Sequence, residues 1–189
     1  MRSAILETLA AMAVAAPLAL LGAAPAVAAS TAPSHRAEAC ALGAQVMAEQ
    51  AKGGVNAFDD QDSFASEFIK RGVRDARPYG WGLSAWQKAL LTKQPPVNLF
   101  VRCPELARRL PAGARMATAE DRAAVERLGP APRIYIGRVA APSISADGKT
   151  ALVMEFSRCP GLCGGGSLYV YKRVNGRWVK DAPVFTMIS

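Results

Sequence analysis

Histidine is all but missing: the 189 residues contain one, His35. It falls in a Ser/Thr/Pro-rich stretch, so no imidazole is at hand inside a packed site. That excludes Ser-His-Asp and Cys-His catalysis there and zinc centres built on histidine. Long apolar runs are equally scarce. The one near the N-terminus is broken by Pro17 and too short to cross a bilayer, and no second run is long enough to anchor the protein. Two ligand motifs are incomplete. No Lys-Ser/Thr pair follows Gly164, Gly165 and Gly166, so the phosphate-loop pattern is absent. The acidic stretch Asp59, Asp60 and Asp62 lacks the EF-hand template, because the required Gly and Glu, counted from Asp60, are Ala65 and Arg71. There, Asp62 or Ser63 is expected to cap a following helix instead. No metal site and no cofactor are expected, and there is no internal repeat.

What is present begins with an address. Met1-Arg2-Ser3, an apolar run through Leu21 and the small residues Ala26-Val27-Ala28 read as a secretory signal peptide over 1–29. Residues 30–35 read as a flexible mature N-terminus. The remainder, 36–189, reads as one domain, with a helical half over 36–130 and a sheet half over 133–189. Cys40 follows polar Glu38 and is badly placed for lipid attachment. The expected location is periplasmic or secreted. The net charge is +8, and removing the signal leaves it unchanged because Arg2 and Glu7 go together. Such a chain is drawn to anionic lipids or acidic polymers. Nucleic acid is not expected as a partner of an exported protein.

The four cysteines suit an oxidising compartment. Four allow three pairings, of which Cys40–Cys103 and Cys159–Cys163 are favoured. By the chain-entropy argument the long loop stabilises by roughly 4 kcal/mol and the short ring by roughly 2.

Helical spacing of Ala37, Cys40, Ala41, Ala44, Met47, Ala48 and Ala51 predicts a helix ended by Gly53-Gly54. A second is expected from Phe64 to Arg71. Ser84 and Gln87 form a capping box for a third, with Trp86, Ala89 and Leu90 on its inner side. Lys88 stands four residues after Ser84, not the three of the penicillin-binding motif, so the cap is the better reading. Val97 to Val101 reads as extended or irregular. Pro104 and Thr118 open two further helices.

From Arg133 the pattern alternates. Ile134 to Val139, Thr150 to Ser157, Leu168 to Val174, Arg177 to Val179 and Val184 to Ile188 read as strands. Leu152, Met154 and Phe156 face one way, and Glu155 faces solvent. Asn175-Gly176 is a hairpin turn. Cys159-Pro160-Gly161-Leu162-Cys163-Gly164-Gly165-Gly166-Ser167 is a stiffened hairpin tip, whose glycines allow positive φ. A redox pair needs two intervening residues, and here there are three. An anion-binding nest is a further reading.

Ser145 to Lys149, the Cys/Gly turn, Tyr169 to Arg173 and Asn175 to Val179 together resemble the C-terminal part of small exported bacterial proteins with no assigned activity. The resemblance covers about a quarter of the chain, from Ser143 on. It implies a β arrangement and export and carries over no catalytic residues. Such sequences usually have Gly where Pro160 stands here.

The fold class expected is α+β: N-terminal helices on a C-terminal antiparallel sheet of about four strands, one face covered. The alternative is a cone-like fold, one long helix in a curved sheet. The function expected is non-catalytic binding of an anionic envelope component or another protein. Candidate binding residues are Arg102, Arg108, Arg109 and Arg115 in the basic middle, with Tyr79 and Trp81 on a Gly-rich loop; Arg122 and Arg127 add to that basicity. The alternatives are an envelope hydrolase using Glu155 with Asp147, Asp181 or Glu105, and a thiol-disulfide protein using Cys159 and Cys163.

Overall fold

A computed structural model describes residues 35–61, 82–127, 134–161 and 163–188. The expected signal peptide, the expected helix over 64–71 and the loop with Tyr79 and Trp81 lie outside the described residues.

Helix α1 spans His35–Lys52, with Glu38 in its first turn and Lys52 in its last, as the helix dipole favours. It therefore starts one residue earlier than expected. His35 is its exposed first residue, 4.0 Å from Glu38, and not part of a packed site. The buried stripe is Ala39, Cys40, Leu42, Gly43, Val46 and Met47. Ala37 and Ala41, expected inside, are exposed. The larger Leu42 and Val46 turn the helix toward themselves, since burial gain scales with apolar area. Gly43 has no side chain, so Leu99 presses against the α1 backbone.

α2 (Ala85–Lys93) buries Gln87, Leu90 and Leu91 and leaves Trp86 44% exposed. The expected inner side is thus rotated. Gln87 is held inward because its Oε1 accepts from the Ser84 N–H at 2.7 Å. Val97 to Val101 is not extended: Asn98 caps a one-turn helix, α3 (Leu99–Arg102), by accepting from the Phe100 N–H at 2.9 Å. Pro104–Arg108 is a tighter 3₁₀ turn. α4 (Ala119–Val125) opens on Thr118 and Asp121, which exchange the two bonds of a capping box.

The sheet has seven strands: β1 Ala57–Phe58, β2 Arg115–Met116, β3 Ile136–Val139, β4 Ser143–Ile144, β5 Thr150–Arg158, β6 Gly165–Val174 and β7 Arg177–Ile188. Their order is β2-β1-β3-β5-β6-β7, with β4 also on β5. The fold is α+β as expected, but the helical half adds β1 and β2, each two residues and parallel to its neighbour. Two residues are too few to show alternation. β7 runs through Pro183 as one strand. Pro183 is tolerated because β7 ends the strand order. Asn175 (φ 50) and Gly176 (φ 76) make the expected turn.

Both faces of β5 are covered, not one. Ala151 and Val153 pack with Leu42, Val46 and Tyr171 under α1. Leu152, Met154 and Phe156 pack with Leu83, Leu90 and Leu91 around α2. A single helix in a curved sheet therefore describes only the α1 side. Both expected disulfides are present, with Cα separations of 5.7 Å for Cys40–Cys103 and 5.5 Å for Cys159–Cys163.

Candidate functional site: a cleft beside the disulfide loop

β5 and β6 pair with Glu155 opposite Ser167 and Ser157 opposite Gly165, and β7 adds Thr186 opposite Ser167. Residues opposite one another share a face, so these small and polar groups line the side of the sheet on which α1 lies. There, Gln50, Gly53 and Val55 at the end of α1, Glu155, Tyr169 and residues 163–167 enclose a cleft of about 350 Å³. Its size is at the lower end of small-ligand sites, about 300–1,000 Å³. Ser167 and Thr186 hydroxyls meet at 3.0 Å on its floor.

The glycines act differently from the expectation. Gly165 and Gly166 are strand residues, and only Gly161 in this loop has positive φ, at 86. Gly166 lies opposite Phe156, whose ring fills the space a side chain would take. The connection between β5 and β6 is therefore just residues 159–164, closed by its disulfide.

Glu155 is 9% exposed, not on an open face. Its Oε1 accepts from Lys180 Nζ at 2.8 Å and lies 3.2 Å from the Tyr171 hydroxyl. The same hydroxyl is 3.1 Å from Glu49 Oε2 on α1, and Lys180 Nζ is 3.6 Å from that oxygen. Lys180 also sits 4.0 Å above the Tyr169 ring, a cation–π contact. Burial pushes the Glu155 carboxyl above its ordinary range; Lys180 and the Tyr171 hydroxyl oppose this, and the Glu49 charge adds to it. Burial, then the Glu155 and Glu49 charges, raise Tyr171, so it stays a phenol.

Of the expected carboxylate partners, none reaches Glu155. Asp147 sits in the Ser145–Lys149 turn, Asp181 pairs with Lys172 at 2.5 Å, and Glu105 is exposed beside the Cys40–Cys103 bond. Glu49 takes that place, and no sequence signal marks it. Lys180 and Tyr171 both bridge Glu49 and Glu155, which leaves no room there for a scissile bond. Cys163 lines the cleft and Cys159 is buried. Among the described residues, the one trio of metal-ligand types within reach is Cys40, Cys103 and Glu105. Its two sulfurs are bonded to each other and are not thiolates.

The basic candidates have separate surroundings. Arg115 makes a bidentate pair with Asp121, which holds the Asp121 carboxyl below its usual range. The Arg102 carbonyl accepts from Arg36 Nε at 3.2 Å. Arg108 and Arg109 are exposed on the 3₁₀ turn, with no ion pair among the described residues. The arginines that do gather are Arg122, Arg138 and Arg158, around a second cavity of about 190 Å³. Asp59, from the acidic stretch Asp59, Asp60 and Asp62, is 2% exposed at its base and pairs with Arg138 and with Arg122, the latter at 3.0 Å. Burial would raise this carboxyl, but the bonds from Arg138, the Gln61 amide and Arg122 outweigh it and hold it low. Arg158 pairs with Glu126 at 2.7 Å. This second cluster is a joint: the Asp59 carbonyl also accepts from Asn98 Nδ2 at 2.8 Å, so it ties β1, β3, α3 and α4 together.

No protein-family model matches this chain, and no curated protein or solved structure matches it.

Proposed function

We propose that this is an exported, non-catalytic binding protein whose cleft takes a neutral, hydroxyl-bearing envelope component such as a glycan segment. The observation that carries this reading is the lining of the 350 Å³ cleft: Ser157, Ser167, Thr186, Tyr169 and Gln50 offer hydroxyl and amide groups, and among the described residues no Lys or Arg lines it. Its one carboxylate, Glu155, is already matched by Lys180. A site with polar groups and no free charge favours ligands that exchange hydrogen bonds over ions, because an unpaired charge pays desolvation. The disulfide loop and the Phe156–Gly166 contact hold the wall in place, and preorganisation of that kind favours affinity. The anionic ligand expected from overall charge has its support elsewhere, at exposed Arg108 and Arg109, where attraction to an acidic surface adds retention.

The test is retention on an immobilised envelope polysaccharide. A Ser167→Val/Thr186→Val double variant should weaken it by about thirtyfold, the equivalent of two lost hydrogen bonds at roughly 1 kcal/mol each, and high salt should not. Retention unchanged by this pair, yet abolished by salt and by charge reversal at Arg108 and Arg109, overturns the cleft reading in favour of the anionic one.

A second reading, hydrolysis, draws on the proximity of Glu49 to Glu155 across Tyr171. It requires new reducing ends from the same polysaccharide and their loss in Glu155→Gln. With Lys180 lodged between the two acids, none is expected.

A further inference from the structure

Tyr171 has one hydroxyl proton and two carboxylate neighbours, Glu49 Oε2 at 3.1 Å and Glu155 Oε1 at 3.2 Å. With both acids ionised, the phenol can donate to one and must face the other oxygen to oxygen. The charge balance is unfavourable too. Two carboxylates share one ammonium, Lys180, at 2.8 and 3.6 Å. The excess negative charge sits at the C-terminal end of α1, which is itself the negative end of the helix dipole. One added proton removes both faults: Glu155 O–H donates to Tyr171, Tyr171 O–H donates to Glu49, and the cluster is neutral.

We propose that Glu155, Tyr171 and Glu49 hold one shared proton taken from solvent, and that its loss frees the last turn of α1 from the sheet and widens the cleft. The inference rests on the reading of that cleft as a binding site and makes binding proton-linked. The Glu49 charge beside Glu155 favours the protonated form of Glu155. The burial pressure on Glu155 acts in the same direction.

The surroundings leave few other charges to set this balance. From α1 come Glu49 and the uncharged Gln45 and Gln50. β3 places Val139 opposite Glu155. β6 brings Tyr169 and Tyr171, and β7 brings Lys180. The next pair along, Glu38 with Arg173, is neutral in itself.

Glu49 is the more exposed member, and its Oε1 accepts from Gln45 Nε2 on the same helix at 2.8 Å, a contact that does not depend on the sheet. Its side chain is 35% exposed against 11% for Glu155. On deprotonation Glu49 turns to water, and Glu155 keeps Lys180. Gln50 and Gly53, which follow Glu49 on the chain, form one wall of the cleft. The β6–β7 register shifts at Leu168/Tyr169 and Tyr169/Tyr171 lie beside the cluster and give the ladder local slack.

The experiment follows amide shifts and hydrogen exchange of Gln50, Gly53, Gly165 and Gly166 against pH by NMR, in the ligand-free protein. One common titration above the usual glutamate range is expected, with lower protection at Gln50 and Gly53, relative to the intrinsic base-catalysed exchange rate, on its alkaline side. It should vanish in Glu155→Gln and move to lower pH in Glu49→Gln, both near-isosteric, because the second variant keeps the burial of Glu155 but removes the neighbouring charge. Tyr171→Phe, which keeps the ring, should uncouple the response at Gln50 and Gly53 from that at Gly165 and Gly166. A titration at unchanged pH in Glu49→Gln overturns the sharing, because a lone buried acid then explains it. A titration with no change in protection at Gln50 and Gly53 overturns the opening. No ligand takes part, so failure on polysaccharide and failure of the shared proton are read separately.

Discussion

Phe156 lies across the β5–β6 ladder from Gly166, and its ring occupies the space into which a side chain at 166 would project. One contact thus joins the α2-side core to the strand that floors the cleft. Gly166→Ala should destabilise the protein by about 1–3 kcal/mol, the usual cost of overpacking. Gly161→Ala, at φ 86 in the loop, adds backbone strain without any collision. A urea midpoint lowered by Gly161→Ala more than by Gly166→Ala would contradict this account.

Asp59 holds Arg138 inside the protein. Asp59→Asn should cost about 3–5 kcal/mol, because the guanidinium is left buried without its counter-charge. Its carboxyl is lowered from 3.8, so its contribution is fully present above that value and is lost as pH falls through the lower folded value. Wild type should lose stability in acid below about that point more steeply than Asp59→Asn, in denaturant midpoints measured along an acid series.

Glu155 has the opposite sign. Its carboxyl is raised from 4.5, so the folded chain holds this proton more tightly than the unfolded one does. The stability it brings is complete below 4.5 and is lost as pH rises through the higher folded value. Glu155→Gln should flatten that segment of the stability–pH curve and raise the midpoint at neutral pH. An unaltered slope would remove Glu155 as its source.

The two disulfides should separate by loop length. Cys40→Ser/Cys103→Ser should cost about 4 kcal/mol and Cys159→Ser/Cys163→Ser about 2. Cys163 of the short pair lines the cleft, so loss of this bond should weaken polysaccharide retention out of proportion to stability. The long pair, remote from the cleft, should leave retention intact wherever the protein remains folded.

Several of these relationships are legible along the chain. Ser84 with Gln87, Thr118 with Asp121, and Asn175-Gly176 announce themselves, because each depends on residues within a few positions. The cysteine count allows three pairings, and the structure has the favoured one. The inward faces of α1 and α2 are not legible, since a helix of small or mixed residues has no strong stripe and its partner decides the rotation. β1 and β2 leave no pattern in two residues each. Asp59 reads only as one of three acids in a loop; its partner Arg138 is seventy-nine positions away, so nothing local marks it as buried.

By itself the chain order determined the α+β division, the hairpin at Asn175-Gly176 and an even set of four cysteines, since local backbone preference and composition suffice for those; which sulfurs pair was left among three arrangements until the fold chose. Only the tertiary structure decided that β5 is covered on both faces, that Glu49 meets Glu155 through Tyr171, and that Arg122, Arg138 and Arg158 gather around one cavity. These depend on which distant side chains are brought within a few ångströms, and short-range interactions carry no trace of that along the chain.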